Sequence, residues 1–177
     1  MRSLGDDQIP AEVRAAQALL RARARRYANV TAAESTVVST VITFQRGSSR
    51  YGVALTELCE IRPLSGFCSL PGARRAVPGV MHYRGELLTL VELTALLSNE
   101  PASSEPLWVL VSERAGERIG LLADEVLDVV ELEVGSVHAL PLTLGDVSDV
   151  FRGATSDGVL VIDAAHLFQT PQLASVL

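Results

Sequence analysis

Arg50-Tyr51-Gly52-Val53-Ala54-Leu55-Thr56-Glu57-Leu58-Cys59-Glu60-Ile61 and Arg118-Ile119-Gly120-Leu121-Leu122-Ala123-Asp124-Glu125-Val126-Leu127-Asp128-Val129 are one pattern written twice, without gaps, at an offset of 68 residues. The same offset relates Val41-Ile42 to Val109-Leu110 and Tyr83-Arg84-Gly85 to Phe151-Arg152-Gly153. After the Arg-Gly pairs the offset grows to 71. Thr89-Leu90-Val91-Glu92-Leu93 then aligns with Leu160-Val161-Ile162-Asp163-Ala164, and Leu96-Leu97 with Leu167-Phe168. The repeats run near 37–97 and 105–169. A repeat of this kind marks duplicated structural units.

Around the repeated block the chain is rich in short β-branched runs separated by turn residues. Strands are expected near 37–45, 50–55, 58–62, 80–83 and 86–91 in the first copy. Their partners lie near 107–112, 118–123, 126–132, 150–155 and 159–163. Arg46-Gly47-Ser48-Ser49, Pro71-Gly72, Pro78-Gly79, Ala115-Gly116-Glu117 and Asp157-Gly158 punctuate them. Short helices are expected at 93–98 and 164–169. A polar, proline-bearing loop over 98–106 separates the halves.

Five short strands close into a small barrel more readily than they stand as an open sheet, because closure removes exposed edges. The expectation is therefore all-β: two intertwined, pseudo-symmetric five-stranded barrels sharing a hydrophobic interface. A barrel of roughly 60 residues is marginal alone, which is why the interface must be shared. Gly52 and Gly120 sit at equivalent strand positions, where glycine permits close backbone approach. Residues 1–35 form a separate N-terminal helical extension and linker, and 36–177 the body. The extension's helix spans 10–28, with Pro10 in its first turn and Val13, Ala16, Leu19, Leu20 and Tyr27 near helical spacing.

Composition narrows the function classes. Hydrophobic residues make up 48% and aromatics only 5%, so the core is aliphatic. Residues 1–34 carry six Arg and four acids, whereas the remainder carries nine Arg and seventeen acids. An acidic body argues against wrapping nucleic acid, since phosphate contacts need dense basic charge. No apolar run approaches the ~20 residues that span a bilayer, and Met1 to Asp7 lacks a signal-peptide core. A cytoplasmic protein without membrane insertion is expected. Cys59 and Cys68 fit neither a zinc spacing nor a disulfide framework, and His82, His138 and His166 are scattered. No cofactor and no metal are expected.

No catalytic constellation stands out. Ser65, Ser69 and Ser156 lack a nucleophile-elbow context, and Gly79 and Gly85 are isolated turn glycines rather than a phosphate loop. Asp124, Glu125 and Asp128 are not spaced as a calcium loop, and their alignment with Thr56, Glu57 and Glu60 points to a surface role. Arg84 and Arg152 each precede a glycine. Such a guanidinium either braces its turn or reaches a partner carboxylate. Leu55, Leu58 and Val126 are either cleft-lining or plain core residues.

These features, in order, resemble the CheW-like domain. Phe44 with Arg50-Tyr51-Gly52-Val53 resembles its first hairpin, and Leu58-Cys59-Glu60-Ile61 the segment that follows. Leu70-Pro71-Gly72 and Val77-Pro78-Gly79-Val80 resemble its proline turn and strand entry. Arg84-Gly85-Glu86-Leu87-Leu88 with Val91-Glu92-Leu93 resembles its Arg-Gly signature, and Ile119 to Val126 its second-barrel signature. The resemblance covers about three quarters of the chain, from Thr36 to Phe168. It implies a non-enzymatic adaptor of two SH3-like barrels that couples chemoreceptors to a CheA-type histidine kinase. Its partners would be the kinase's regulatory domain and the cytoplasmic tip of a methyl-accepting chemoreceptor. Leu55, Leu58, Glu60, Arg84 and Val126 are the receptor-contact positions carried over by resemblance. Three positions depart from the family pattern: His82 where Asn is usual, Thr89 where Pro is usual and Glu92 where Asp is usual. They are expected to cluster at one surface. The alternative of a different class is a small β-barrel module that binds nucleic acid or a small ligand, which would need a basic or aromatic-lined face.

Overall fold

A computed structural model describes residues 39–98, 102–133, 135–140, 149–171 and 173. The helix expected over 10–28 and its linker lie outside the described residues. Twelve strands fall within them: β1 (Ser39–Arg46), β2 (Ser49–Ala54), β3 (Leu58–Pro63), β4 (Cys68–Ser69), β5 (Gly79–Tyr83), β6 (Glu86–Val91), β7 (Trp108–Arg114), β8 (Glu117–Ala123), β9 (Glu125–Leu132), β10 (Val137–His138), β11 (Phe151–Thr155) and β12 (Val159–Ile162). A 3-10 turn spans Leu55–Glu57, and two short helices, α1 (Leu93–Ser98) and α2 (Ala164–Phe168), follow β6 and β12. All ten expected strands are present. The two additional ones, β4 and β10, are two residues long, too short for any alternation to be read.

The strands form two sheets of six, ordered β10-β11-β12-β2-β1-β9 and β3-β7-β8-β6-β5-β4. Neither sheet belongs to one repeat. The hairpin β1–β2 leaves the first repeat and joins β9–β12 of the second. The hairpin β7–β8 makes the reciprocal move. Registers confirm the pseudo-symmetry: Val41 faces Val130 and Ile42 faces Val129, while Val109 faces Arg62 and Leu110 faces Ile61. The parallel pairs repeat it, with Leu160 beside Tyr51 and Val161 beside Gly52, matched by Thr89 beside Ile119 and Leu90 beside Gly120.

The central strands are apolar on both faces because each face meets a core. Leu88, Leu90, Val109, Val111 and Leu122 point into the second barrel with Met81 and Tyr83. The alternate residues Val91, Leu110, Ile119, Leu121 and Ala123 join Ile42, Phe44, Tyr51 and Val53 in the larger shared core. Phe44 stacks on Tyr51, and Tyr51 on Phe151, at centroid separations of 5.6 and 6.2 Å. Burial of that aliphatic and aromatic surface, about 1.5–3 kcal/mol per large side chain, is the main stabilising term.

One sequence equivalence fails. Gly153 faces Val161 as Gly79 faces Leu90. A Cβ on Gly79 would strike the Cys68 carbonyl, and one on Gly153 the His138 carbonyl. The structural counterpart of Gly153 is therefore Gly79, not Gly85. Arg152 lies within β11, whereas Arg84 lies in the β5–β6 turn. The local Arg-Gly match at offset 68 misled because a dipeptide carries no register information.

The pseudo-equivalent glycines differ in their surroundings. A Cβ at Gly120 would come within 2.6 Å of Val109 Cγ2 and 2.9 Å of Leu90 Cδ2, whereas at Gly52 the nearest atom is Val159 Cγ1 at 3.3 Å. Gly120→Ala should therefore cost about 1–3 kcal/mol by overpacking. Gly52→Ala should be neutral or stabilising by up to about 1 kcal/mol through the unfolded state. Denaturant unfolding of both variants measures the difference, and equal losses would contradict the assignment.

Candidate functional site

Tyr83 faces Glu86 across a two-residue turn at the end of the β5–β6 hairpin. Both central residues have positive φ, 51° at Arg84 and 91° at Gly85. Hairpin twist favours such turns, and glycine adopts the geometry freely. At Arg84 it costs about 1–2 kcal/mol, because Cβ crowds the backbone. Ala115 adopts the same conformation, with φ 53°, in the β7–β8 turn, so the geometry belongs to the two-residue hairpin turn.

The Arg84 guanidinium lies 5.2 Å from the centroid of the Tyr83 ring and donates to Glu60 Oε2 at 2.9 Å. The Tyr83 hydroxyl donates to the same oxygen at 2.9 Å. Burial, then the Glu60 hydrogen bond and charge, push the Tyr83 phenol above its ordinary range and keep it a donor. Arg62 approaches the ring from 5.9 Å. The Arg84 side chain is 69% exposed. An ion pair so exposed adds only about 0–1 kcal/mol to stability. Beside the turn, Leu87 faces His82 and is 74% exposed, the most exposed large hydrophobic among the described residues.

Of the five sequence-selected residues, Glu60 and Arg84 are thus brought into direct contact. Leu55, Leu58 and Val126 are half-buried and pack against the margin of the shared core. Leu58 faces Ser112 on β7 and Val126 faces Phe44 on β1, so these two are symmetry mates at equivalent bulged registers. Arg152 sits elsewhere, donating to Glu57 Oε1 at 3.2 Å and lying 3.4 Å from Asp163.

Sequence reasoning missed a buried charged cluster. Arg46, 3% exposed, ends β1 and reaches Glu92, 1% exposed, through Nε at 2.9 Å. Its Nη1 donates to the Ser104 carbonyl at 2.8 Å and also pairs with Asp124. Asp124 accepts from the Gly47 amide at 2.8 Å and the Ser104 hydroxyl at 2.7 Å. Burial alone would raise the Asp124 carboxyl. The Ser104, Gly47 and Arg46 contacts outweigh it and hold the group below the usual aspartate range. Glu92 also accepts from the Thr94 hydroxyl at 2.8 Å at the start of α1, as its counterpart Asp163 caps α2. Asp124 is therefore a structural tie, not the surface residue expected from its alignment with Thr56. The three family departures do not share a surface either: His82 is exposed, but Thr89 and Glu92 are buried. The longer Glu92 side chain lets one residue cap the helix and pair with Arg46.

Among the described residues no three His, Cys, Asp or Glu side chains come together as a metal site, and no helix is long and apolar enough to cross a membrane. Comparison with known proteins places these features in context. The profile of the CheW-like domain matches residues 40–172. The chemotaxis protein CheW of Rhizobium meliloti is 27% identical over 124 residues, 70% of this chain and 77% of that protein. The CheW of Klebsiella aerogenes is 24% identical over 149 residues, 81% of this chain and 90% of that protein. The crystal structure of the scaffolding protein TtCheW from Thermoanaerobacter tengcongensis superposes with a TM-score of 0.65 at 18% identity, covering 80% of this chain and 95% of that one.

Two arginines separate fold from surface. Arg46→Ala strands the buried Glu92 carboxylate and should cost about 3–5 kcal/mol. Arg84→Ala removes an exposed pair and should cost less than about 1 kcal/mol. Asp124, with its carboxyl depressed in the folded state, contributes stability above the unfolded value of about 3.9 that is lost as pH falls through the folded value. Asp124→Asn should therefore flatten the acid limb of a stability–pH curve below about pH 4. An unchanged acid limb would show that the cluster does not titrate with unfolding.

Proposed function

The chain belongs to the CheW-like domain family, and from that premise we propose that it is a non-enzymatic scaffold coupling chemoreceptors to a CheA-type histidine kinase in the cytoplasm. The observation that carries the reading is the Arg84 turn. It is solvent-facing and tethered to Glu60 at the family's signature position. The Glu60 contact limits the rotamers of a long side chain, so less conformational entropy is lost when a partner engages it. Leu55, Leu58 and Val126 supply apolar area at the margin of the shared core. Together the five residues make a receptor-tip surface of mixed apolar and charge-assisted character. The kinase regulatory domain would engage elsewhere on the body. A barrel that binds nucleic acid is disfavoured, since the chain outside residues 1–34 carries seventeen acids against nine Arg.

Purified protein should bind both a receptor cytoplasmic tip and the kinase regulatory domain. Arg84→Ala and Glu60→Ala should each weaken receptor-tip binding about tenfold, the scale of a charge-assisted hydrogen bond, with the melting temperature nearly unchanged. Arg118→Ala is the matched control, because Arg118 is also a part-exposed guanidinium paired to carboxylates, those of Glu113 and Glu86. Losses equal to that of Arg118→Ala, or no binding by the parent protein, would contradict the proposal.

A further inference from the structure

Pseudo-symmetry allows the two barrel interiors to be compared position by position. Leu88, Leu90, Leu122 and Val111 of the second barrel correspond to Val159, Val161, Ala54 and Thr43 of the first. Met81 corresponds to Thr155. Tyr83 has no counterpart, because the β11–β12 hairpin closes at its Thr155–Val159 end, where the Gly158 amide bonds the Thr155 carbonyl at 2.9 Å. The first interior has thus lost side-chain volume at position after position. Val41, Ala54, Val159 and Val161 remain buried, at 1%, 8%, 5% and 4% exposure.

Three of the smaller residues, Thr43, Thr155 and Val159, line a hollow. A cavity of about 240 Å³ opens at the mouth of the first barrel, walled by Val41, Leu127, Val130, Leu132 and Val159. Its two hydroxyls are already satisfied. The Thr43 hydroxyl donates to the Asp128 carbonyl at 3.0 Å and accepts from the Asp128 amide at 3.2 Å. The Thr155 hydroxyl donates to Asp157 Oδ1 at 2.5 Å and accepts from the Val159 amide at 3.0 Å. At the rim, Arg50 bonds the Asp157 carbonyl and stands 3.8 Å from its carboxylate. The walls are therefore largely apolar, and the rim carries the Arg50–Asp157 pair and the Asp128 carboxylate, which accepts from the Val129 amide at 2.8 Å.

We propose that this cavity is a binding site for a small uncharged aliphatic molecule. The volume equals that of about eight liquid waters, which suits a branched skeleton of about six heavy atoms. Removal of apolar surface from water supplies the affinity. An anionic head group would meet the Asp157 and Asp128 carboxylates, and either sign of charge would lose hydration against the apolar walls, so charge works against binding. The inference is independent of the coupling function.

Isoamyl alcohol titrated into methyl-labelled protein tests it by NMR. Saturable shifts are expected at the methyls of Val41, Val130 and Val159, with a midpoint on the order of 1 mM. Val159→Leu, which installs the residue the second barrel holds at this position, should weaken binding by about tenfold or more while the protein melts no lower. Val159→Ile is the alternative filling variant if the leucine disrupts folding. Isovalerate and isoamylamine carry a similar branched skeleton with a charge, and should bind about tenfold more weakly. The proposal is overturned by absence of saturable shifts in the parent protein, by undiminished binding in both filled variants, or by a charged analogue that binds as tightly as the alcohol.

Discussion

Antiparallel pairing of β1 with β9 and of β3 with β7 is the constraint on which the rest depends. Each pair joins a strand of one repeat to a strand of the other, so neither repeat can complete a sheet by itself. The exchange forces Leu110, Leu121 and Ala123 to turn one face of β7–β8 to the shared core while Val109, Val111 and Leu122 turn the other into the second barrel. It also places the ends of β1 and β8 together, which is what brings Arg46 to Asp124. The Asp124 amide bonds the Gln45 carbonyl at 2.8 Å at the same junction. A buried ion pair rarely adds net stability over apolar packing, yet breaking one is costly, so the Arg46 cluster serves to specify this junction.

Duplication relaxed the two halves differently. The second barrel kept large aliphatic side chains and a long β5–β6 hairpin, whose tip presents Arg84 with Glu60 and Tyr83. The first has smaller residues, a shorter β11–β12 hairpin and a hollow beside β1, β9 and β12. Corresponding glycines consequently stand in tight and loose surroundings. The exposed features, Arg84 and Leu87, sit on the tightly packed barrel. A rigid scaffold beneath the proposed recognition surface would reduce the ordering cost of binding.

The architecture was largely legible in the amino-acid sequence. The ungapped Arg50–Ile61 and Arg118–Val129 repeat located strands to within about two residues and predicted two related barrels, because period-two burial and turn chemistry are local signals. What escaped was non-local. Intertwined barrels were expected, but which hairpins cross, β1–β2 and β7–β8, leaves no mark on hydrophobic alternation. Arg46 reads as a turn residue and Asp124 as a surface acid until β1, α1 and β8 are assembled. Arg84 was selected through its motif and resemblance, but its strain and its contact with Glu60 needed the turn geometry. Arg152 looked like its twin only because two adjacent letters matched.

Cooperativity follows from the exchange, since loss of either barrel removes strands from the other. The most direct measurement is guanidinium unfolding followed at once by Trp108 fluorescence and by the NMR amide intensities of Leu90 in the second barrel and Val161 in the first. Hairpin exchange predicts that all three probes fall along one curve with a common midpoint and slope. Loss of Val161 at a lower denaturant concentration, with Leu90 and Trp108 still native, would show two independently folding barrels and contradict the account.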